Sequence, residues 1–426
     1  MALIERLVGQ LIRKGRLVLV MPDGGKREFG PGGGRSLTVR VADRGTAFAI
    51  ARNPRLGVGE AYMDGRLTIE DGDILDLMEL VTGANRWEDG GAGRKALRKG
   101  KNPLKKLWRA RNVVTRARKN VAHHYDIGND LYRLFLDDDL QYSCAYFTDP
   151  GNSLEQAQLD KKAHIAAKLD LKPGHHVLDI GCGWGGTALY LNRVAGVRVT
   201  GVTLSEQQLK VARERAAAAG VADQVTFELI DYRQVAGPFD RIVSIGMFEH
   251  VGAAHYEEFF AKCRELLEPD GVMLLHTIGK FGKASTPDPF TDKYIFPGYH
   301  LPALSQMVAA SEKARLITSD VETLRLHYAY TLRHWLDRTR KAKKQIVALY
   351  DERFFRMWEF YLAGGVVGFE SGTMCNYQLQ YIRDRRALPI TRDYMLERER
   401  ELRTAPKEKA RRSAPGLRKP RSGKKA

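Results

Sequence analysis

Cysteine is scarce. The 426 residues contain four, Cys144, Cys182, Cys263 and Cys375, far apart and with no CxxC pair. That excludes a disulfide framework and a cysteine-built zinc site, and it fits a reducing compartment. No other spacing signals a metal. Long apolar runs are also missing: no stretch approaches the roughly 18 residues a membrane-spanning helix needs, so the chain is not expected to cross a bilayer. Glu5, Arg6, Arg13, Lys14 and Arg16 interrupt the first twenty residues, which leaves no signal-peptide core and points to a cytoplasmic protein.

Acidic residues are the minority, 51 against 69 Lys and Arg, for a net charge of +18. From Arg94 to Lys119 there is no Asp or Glu, and Leu97, Leu104, Leu107, Trp108, Val113 and Val114 are interleaved with the cations. A basic amphipathic stretch of this kind suits an anionic membrane interface. The second basic block, after Arg403, carries Pro, Gly and Ser and has too little apolar content to bury a core, so it reads as a solvated tail.

A hydrophobic content of 43% with 28% charged residues is that of a globular protein. The length exceeds what a single core usually organises, so a main domain and a smaller one are expected. Near the start, Leu3, Leu7 and Leu11 with Ile4, Val8 and Ile12 repeat at helical spacing. Strand-like runs follow at 17–21, 37–41 and 48–51, and a helix is expected over 73–81. This predicts a small α+β accessory domain over 1–93, then a basic linker over 94–120. From 121 the grammar alternates strand-like runs at 177–180, 198–202, 225–229, 241–245 and 272–276 with helix-like runs such as 205–219 and 256–267. Alternation predicts an α/β domain over 121–390 with a mostly parallel sheet. The aromatic-rich 325–369 stretch reads as helices added after the sheet core, and 391–426 as the basic tail.

One loop carries the first chemical signal. Val177-Leu-Asp-Ile-Gly-Cys-Gly-Trp-Gly-Gly186 runs from an apolar strand through glycines into a helix, a turn that lets backbone approach a ligand closely. The match to a dinucleotide fingerprint is loose. Asp179 stands just before the turn, where a carboxylate meets a ligand's ammonium group and repels a phosphate. The run resembles the glycine-rich motif of class I S-adenosylmethionine-dependent methyltransferases, which implies a Rossmann-like fold. By that resemblance Asp179, Gly181, Gly183, Thr203, Leu204, Gln208, Asp231 and Tyr232 line the cofactor. The usual acidic residue after the second strand is replaced by Thr203, so the ribose is expected to be held by neutral hydrogen bonds.

Further strings resemble the cyclopropane-fatty-acid synthase family, relatives of the mycolic-acid cyclopropane synthases. They are His124-Tyr-Asp126, Gln141-Tyr-Ser-Cys-Ala-Tyr146, Asp240-Arg-Ile-Val-Ser-Ile-Gly-Met-Phe-Glu-His250, Leu274-Leu-His-Thr-Ile-Gly279 and Lys293-Tyr-Ile-Phe-Pro297. The N-terminal Leu56-Gly-Val-Gly-Glu-Ala-Tyr-Met-Asp-Gly65 resembles the accessory domain of the bacterial phospholipid enzymes. The resemblance implies methyl transfer to the cis double bond of an unsaturated phospholipid acyl chain at the inner face of the membrane, with ring closure by a bound bicarbonate. Carried over, the bicarbonate ligands are Cys144, Glu249, His276, Tyr328 and the amide of Ile278, with Tyr142 and Ser143 beside the cofactor. The family also implies a homodimer.

Each of these residues has a plainer reading: Cys144 as a small buried apolar residue, His276 as a satisfied core histidine, and Tyr330 in place of Tyr328. Tyr142 and Tyr146 are expected to face the cation. His250 reads as structural, Cys182 and Cys263 as loop and core, and the aromatics of 358–369 as helix packing rather than tunnel wall. A methyl-branched product, a methyltransferase for an unrelated small molecule, and a non-catalytic lipid-binding or RNA-binding scaffold stand as alternatives. An intact glycine loop with acidic site residues argues against nucleic acid as the partner.

Overall fold

The computed structural model describes residues 2–83, 86–89, 128–284 and 287–404. The basic 94–120 segment and His124-Tyr-Asp126 lie outside these residues.

The N-terminal part is a four-stranded sheet, β1 Gly15–Val20, β2 Lys26–Gly32, β3 Ser36–Val41 and β4 Leu67–Ile69, in the order β2-β1-β3-β4. β1 pairs antiparallel with β2 and parallel with β3. Helices Ala2–Leu11, Arg44–Arg52, Pro54–Met63 and Ile74–Thr82 accompany the sheet. The 48–51 run, expected as a strand, belongs to the helix Arg44–Arg52. Asp43 caps that helix by accepting from the Thr46 amide, and Thr46, Ala47 and Ile50 bury one helical face, so the cap and the i, i+3/i+4 spacing overrule a short β-prone run.

The larger sheet comprises β5 His176–Ile180, β6 Arg198–Thr203, β7 Val225–Leu229, β8 Phe239–Ile245, β9 Leu267–Lys280, β10 Ile317–Leu324 and β11 Met374–Ile382. Its order is β10-β11-β9-β8-β5-β6-β7. β11 runs antiparallel to both β9 and β10, while the β9-β8-β5-β6-β7 pairings are parallel. The chain leaves β5 for β6 on one side and reaches β8 on the other, so a crevice opens at the C-terminal ends of β5 and β8, where open α/β sheets bind ligands. The aromatic-rich helices His327–Lys341 and Glu352–Glu370 are inserted between β10 and β11 rather than following the sheet. β11 alternates buried Cys375, Tyr377, Leu379 and Tyr381 with Asn376, Gln378 and Gln380. Those polar residues break the apolar run that would otherwise announce a strand.

The two parts share one core. Glu60 Oε1 accepts from Lys293 Nζ at 2.6 Å and from Tyr294 Oη at 2.8 Å. Tyr62 Oη donates to Glu359 Oε2 at 2.6 Å, and Arg340 bridges Asp73 at 2.8 Å and Glu359 at 2.7 Å. Gly59 lies so close to Phe290 that a Cβ would collide with the ring. The tail reading needs correcting at its start. Residues Asp393–Thr404 form a helix with Met395 and Glu399 buried, tied down by Glu399 to His164 Nδ1 at 2.7 Å and by Arg392 to Asp320 at 2.6 Å. Tertiary ion pairs order a segment whose composition alone reads as solvated.

Candidate active site

β5 delivers Asp179 to the crevice and then turns at Gly181, whose φ of +84° puts it in the left-handed region. A Cβ there would approach Met247 Cβ to 2.9 Å, so glycine serves both the turn and the close approach. The loop ends at the helix Gly186–Ala195. Around it lies a cavity of about 160 Å³ lined by all ten residues expected at the cofactor: Tyr142, Ser143, Asp179, Gly181, Gly183, Thr203, Leu204, Gln208, Asp231 and Tyr232. Asp179 is 2% exposed, and its Oδ2 has no hydrogen-bond partner among the described residues. Burial pushes its carboxyl up to about 7, against the downward pull of the Lys161 cation. An orphaned, desolvated carboxylate in a cavity wall is a receptor for a ligand's ammonium group. At the end of β6, Thr203 Oγ1 meets Gln208 Oε1 at 3.2 Å, a neutral pair where an acid is usual. Asp231 is held in a bidentate pair by Arg233, both contacts at 2.8 Å, which leaves a carboxylate further lone pairs for a ligand N–H.

A second cavity of about 470 Å³ adjoins the first and is mainly apolar. Cys144, Glu249, His276, Ile278 and Tyr328 all line it. Tyr142, Ser143, Gly246 and His250 line both cavities, so they form the partition between the first, the candidate cofactor cavity, and the second, the candidate acceptor cavity. Glu249 follows β8 in a short 3₁₀ turn, and Oε1 accepts the Ile278 amide at 2.6 Å. Its Oε2 is buried with no hydrogen-bond partner among the described residues. Burial pushes this carboxyl up to about 7 as well, opposed by the Ile278 amide and, more weakly, by its own amide and the nearby Thr277 hydroxyl. His276 sits in β9 between two amides of β11, Asn376 Nδ2 at 2.7 Å from Nε2 and Gln378 Nε2 at 3.1 Å from Nδ1. A neutral imidazole offers one donor and one acceptor, so one of the two amides presents its oxygen to the ring. Asn376 Oδ1 and Gln378 Oε1 both lack partners, and either fits. Burial, then the Lys161, Lys168 and His164 charges, hold His276 well below its ordinary range and therefore neutral. Burial likewise raises the Cys144 thiol, which stays protonated.

Several expectations change. Tyr146 is away from both cavities, stacked between His164 at 4.0 Å and His327 at 4.8 Å between ring centroids. Alternation along the 142–146 segment does not survive the bend at Ser143, so one tyrosine enters the site and the other packs. Tyr142 does enter, stacked on Trp335 at 5.1 Å. Tyr328 lines the acceptor cavity, while Tyr330 packs edge-on against Phe147. Phe360, Tyr361 and Phe369, expected as helix packing, line the acceptor cavity, because that face of their helix looks across the void; Trp358 does pack. His250, set aside as structural, stands in the partition, with burial holding it down to about 4. Cys182, expected in the loop, lines the cofactor cavity.

Lys161 gave no signal in the sequence. It lies in the helix Leu154–Lys168 and is fully buried, donating to Gln141 Oε1 at 2.6 Å and Ser143 Oγ at 2.8 Å. One turn earlier, Gln158 Nε2 donates to the carbonyls of Gln141 and Ser143 at 3.2 and 3.0 Å. The i, i+3 pair clamps both residues flanking Tyr142.

The family model for mycolic acid cyclopropane synthetase matches residues 113–379. The cyclopropane-fatty-acyl-phospholipid synthase of Escherichia coli is 38% identical over 348 residues, 81% of this chain and 87% of that protein. The chain belongs to the mycolic acid cyclopropane synthetase family. A protein described as a "Probable fatty acid methyltransferase" of Pseudomonas putida is 36% identical over 392 residues, 89% of this chain and 96% of its own length. Among solved structures, the mycolic acid cyclopropane synthase CmaA1 complexed with SAH and CTAB matches at 35% identity with a TM-score of 0.59, covering 62% of this chain and 97% of that one. As a member of the synthetase family, the chain is a class I S-adenosylmethionine-dependent carbon methyltransferase. Its largely parallel seven-stranded sheet is that of the class I methyltransferase structures it matches.

Proposed function

We propose that the acceptor is the cis double bond of an unsaturated phospholipid acyl chain and that the product is a cyclopropane fatty acid. The observation that carries the reading is the orphaned, buried Glu249 Oε2 in an apolar cavity that shares a wall with the cofactor cavity. Bound S-adenosylmethionine supplies an electrophilic methyl group. Asp179 holds its ammonium end, and the apolar wall keeps water from the cation that alkene attack leaves on the chain. The faces of Tyr142 and Tyr328 attract that cation through their ring quadrupoles. Ring closure needs a base to take a proton from the added methyl while the C–H electron pair forms the third ring bond. By family resemblance that base would be a bicarbonate ion; Glu249 Oε2 would accept its O–H, with Cys144, Tyr328 and the Ile278 amide around it, whereas His276, whose two ring nitrogens are taken by Asn376 and Gln378, would reach the ion only by exchanging one of those bonds. The Ile278 amide already serves Glu249, so it would be shared between carboxylate and ion.

The runner-up is a methyl-branched product, with which the Pseudomonas relative's description as a fatty acid methyltransferase is also compatible; it needs the cation quenched differently, and the unpartnered Glu249 Oε2 beside the acceptor argues for ring closure by deprotonation of the added methyl. Expression in a bacterium lacking cyclopropane lipids, followed by mass spectrometry of its fatty acids, separates ring from branch. Glu249→Gln is expected to abolish product while keeping cofactor binding; full activity in that variant overturns the base-site assignment. Access to lipid is proposed to occur from the inner membrane face through the basic 94–120 segment, and a homodimer is proposed by family likeness. Among the described residues no helix is long and apolar enough to cross a membrane. Unchanged co-sedimentation with anionic vesicles after neutralising the segment's Lys and Arg sinks the docking proposal.

A further inference from the structure

The acceptor cavity does not end in the methyltransferase domain. Leu17 and Leu19 of β1, Val39 and Val41 of β3 and Leu67 of β4 all line it, and they occupy one face of the four-stranded sheet at the two-residue spacing of a strand. Leu7, Ile74 and Leu77 close around them. These residues precede position 113, where the family match begins.

Protein interiors hold few voids larger than a water molecule, and the inner face of a small sheet ordinarily packs directly on its helices. Here that face is packed, its side chains 1–5% exposed, and yet it lines the same cavity as Glu249, His276 and the partition residues. The sheet's share of the wall is aliphatic. The cavity's charged pair is Arg55 with Asp288 at 3.2 Å, and each side chain is more than a third exposed, at 36% and 38%. An acyl chain of a phospholipid has the same asymmetry, with a hydrocarbon terminus at one end and a polar ester at the other.

We infer that the inner face of β1, β3 and β4 receives the methyl-terminal end of the acyl chain, and that its side-chain volume sets which chain lengths reach the site. This rests on the acyl-chain reading above. Aliphatic walls recognise length by volume: each methylene too many or too few in a hydrophobic pocket changes selectivity by about 10-fold or more. The Arg55–Asp288 side is then where the ester and head group stay.

The test uses the full chain with mixed phospholipid vesicles carrying monounsaturated chains of two lengths, and reads the ratio of methylated long to short chains. Val39→Phe fills the receptor and is expected to shift the ratio toward the short chain by about 10-fold. Leu19→Ala enlarges it and is expected to shift the ratio the opposite way. Thermal melts of the full chain report whether the small sheet stays folded and docked, and calorimetric cofactor binding reports the other sheet, on which the first cavity is built. An unchanged ratio in both cofactor-binding variants overturns the inference. If the unsubstituted protein methylates neither chain, the acyl-chain reading itself fails, a different result from loss of length selectivity.

Discussion

Asp179 and Glu249 are the residues whose chemistry is set by burial. Both carboxyls rest near 7, above their ordinary values, because desolvation disfavours the charged form. A carboxyl raised by folding favours the fold at low pH, and that contribution is lost as pH rises through about 7. On the proposal that Asp179 holds the cofactor's ammonium group, binding needs it ionised, so affinity is expected to fall about 10-fold per pH unit on going from 7 to 5. Isothermal titration across that window checks it, with Asp179→Asn expected to bind weakly and without the slope. Gly246 is a second residue-scale case. It has a φ of +68°, lines both cavities, and a Cβ there would meet no atom within 4 Å, so a methyl group would project into the space between cofactor and acceptor. Gly246→Ala combines left-handed strain with obstruction, and turnover is expected to drop by about 10-fold or more while the melting temperature shifts only slightly. Wild-type turnover would show that the methyl does not cross at this point.

At the scale of elements, the helix Leu154–Lys168 is the positioning device. Ser153 caps it, and Gln158 and Lys161 fix both neighbours of Tyr142. Lys161→Met keeps the stem's volume but leaves Gln141 Oε1 and Ser143 Oγ short of a donor, a cost of about 1–3 kcal/mol. Both residues line the cofactor cavity, so the KM for S-adenosylmethionine is expected to rise about 10-fold. Steady-state kinetics at saturating lipid measure it, and an unmoved KM would leave Lys161 a purely structural residue. β11 teaches the complementary lesson about reading elements. Its polar residues serve neighbours: Asn376 and Gln378 flank His276, and Gln380 hydrogen-bonds Tyr394 Oη at 2.8 Å. The period-two alternation was present in the sequence, but a search for apolar runs passes over it. β5 and β8 were legible as apolar runs buried on both faces of the sheet, and the edge strand β7 by its alternation, with Val225 and Phe227 buried between exposed neighbours.

For the whole molecule, the decisive contact is between the small sheet's unit and the methyltransferase domain. Arg340 joins Asp73 to the buried Glu359, which also accepts from Tyr62. Removing the guanidinium leaves Glu359 buried with the tyrosine hydroxyl alone, a cost of about 2 kcal/mol once Arg340's partial exposure is counted. Arg340→Met is expected to lower the melting temperature and to reduce lipid turnover more than cofactor affinity, since the acceptor cavity spans the contact and the cofactor cavity does not. Thermal melts beside calorimetric titration distinguish the two losses; an equal fall in both would mean that the contact supports the fold in general.

The amino-acid order by itself determined the glycine loop and the parallel strands, because these depend on local spacing, and its short strings pointed by family resemblance to residues that line the second cavity. Only the tertiary structure decided that Tyr142 enters the site while Tyr146 packs, that His276 is bracketed by Asn376 and Gln378, and that the N-terminal sheet forms the end of the acceptor cavity. Each of those depends on residues a hundred or more positions apart, or on which side of a bend a side chain falls. A void has no sequence signature, since the aliphatic residues that border a ligand cavity are the same types that fill a core.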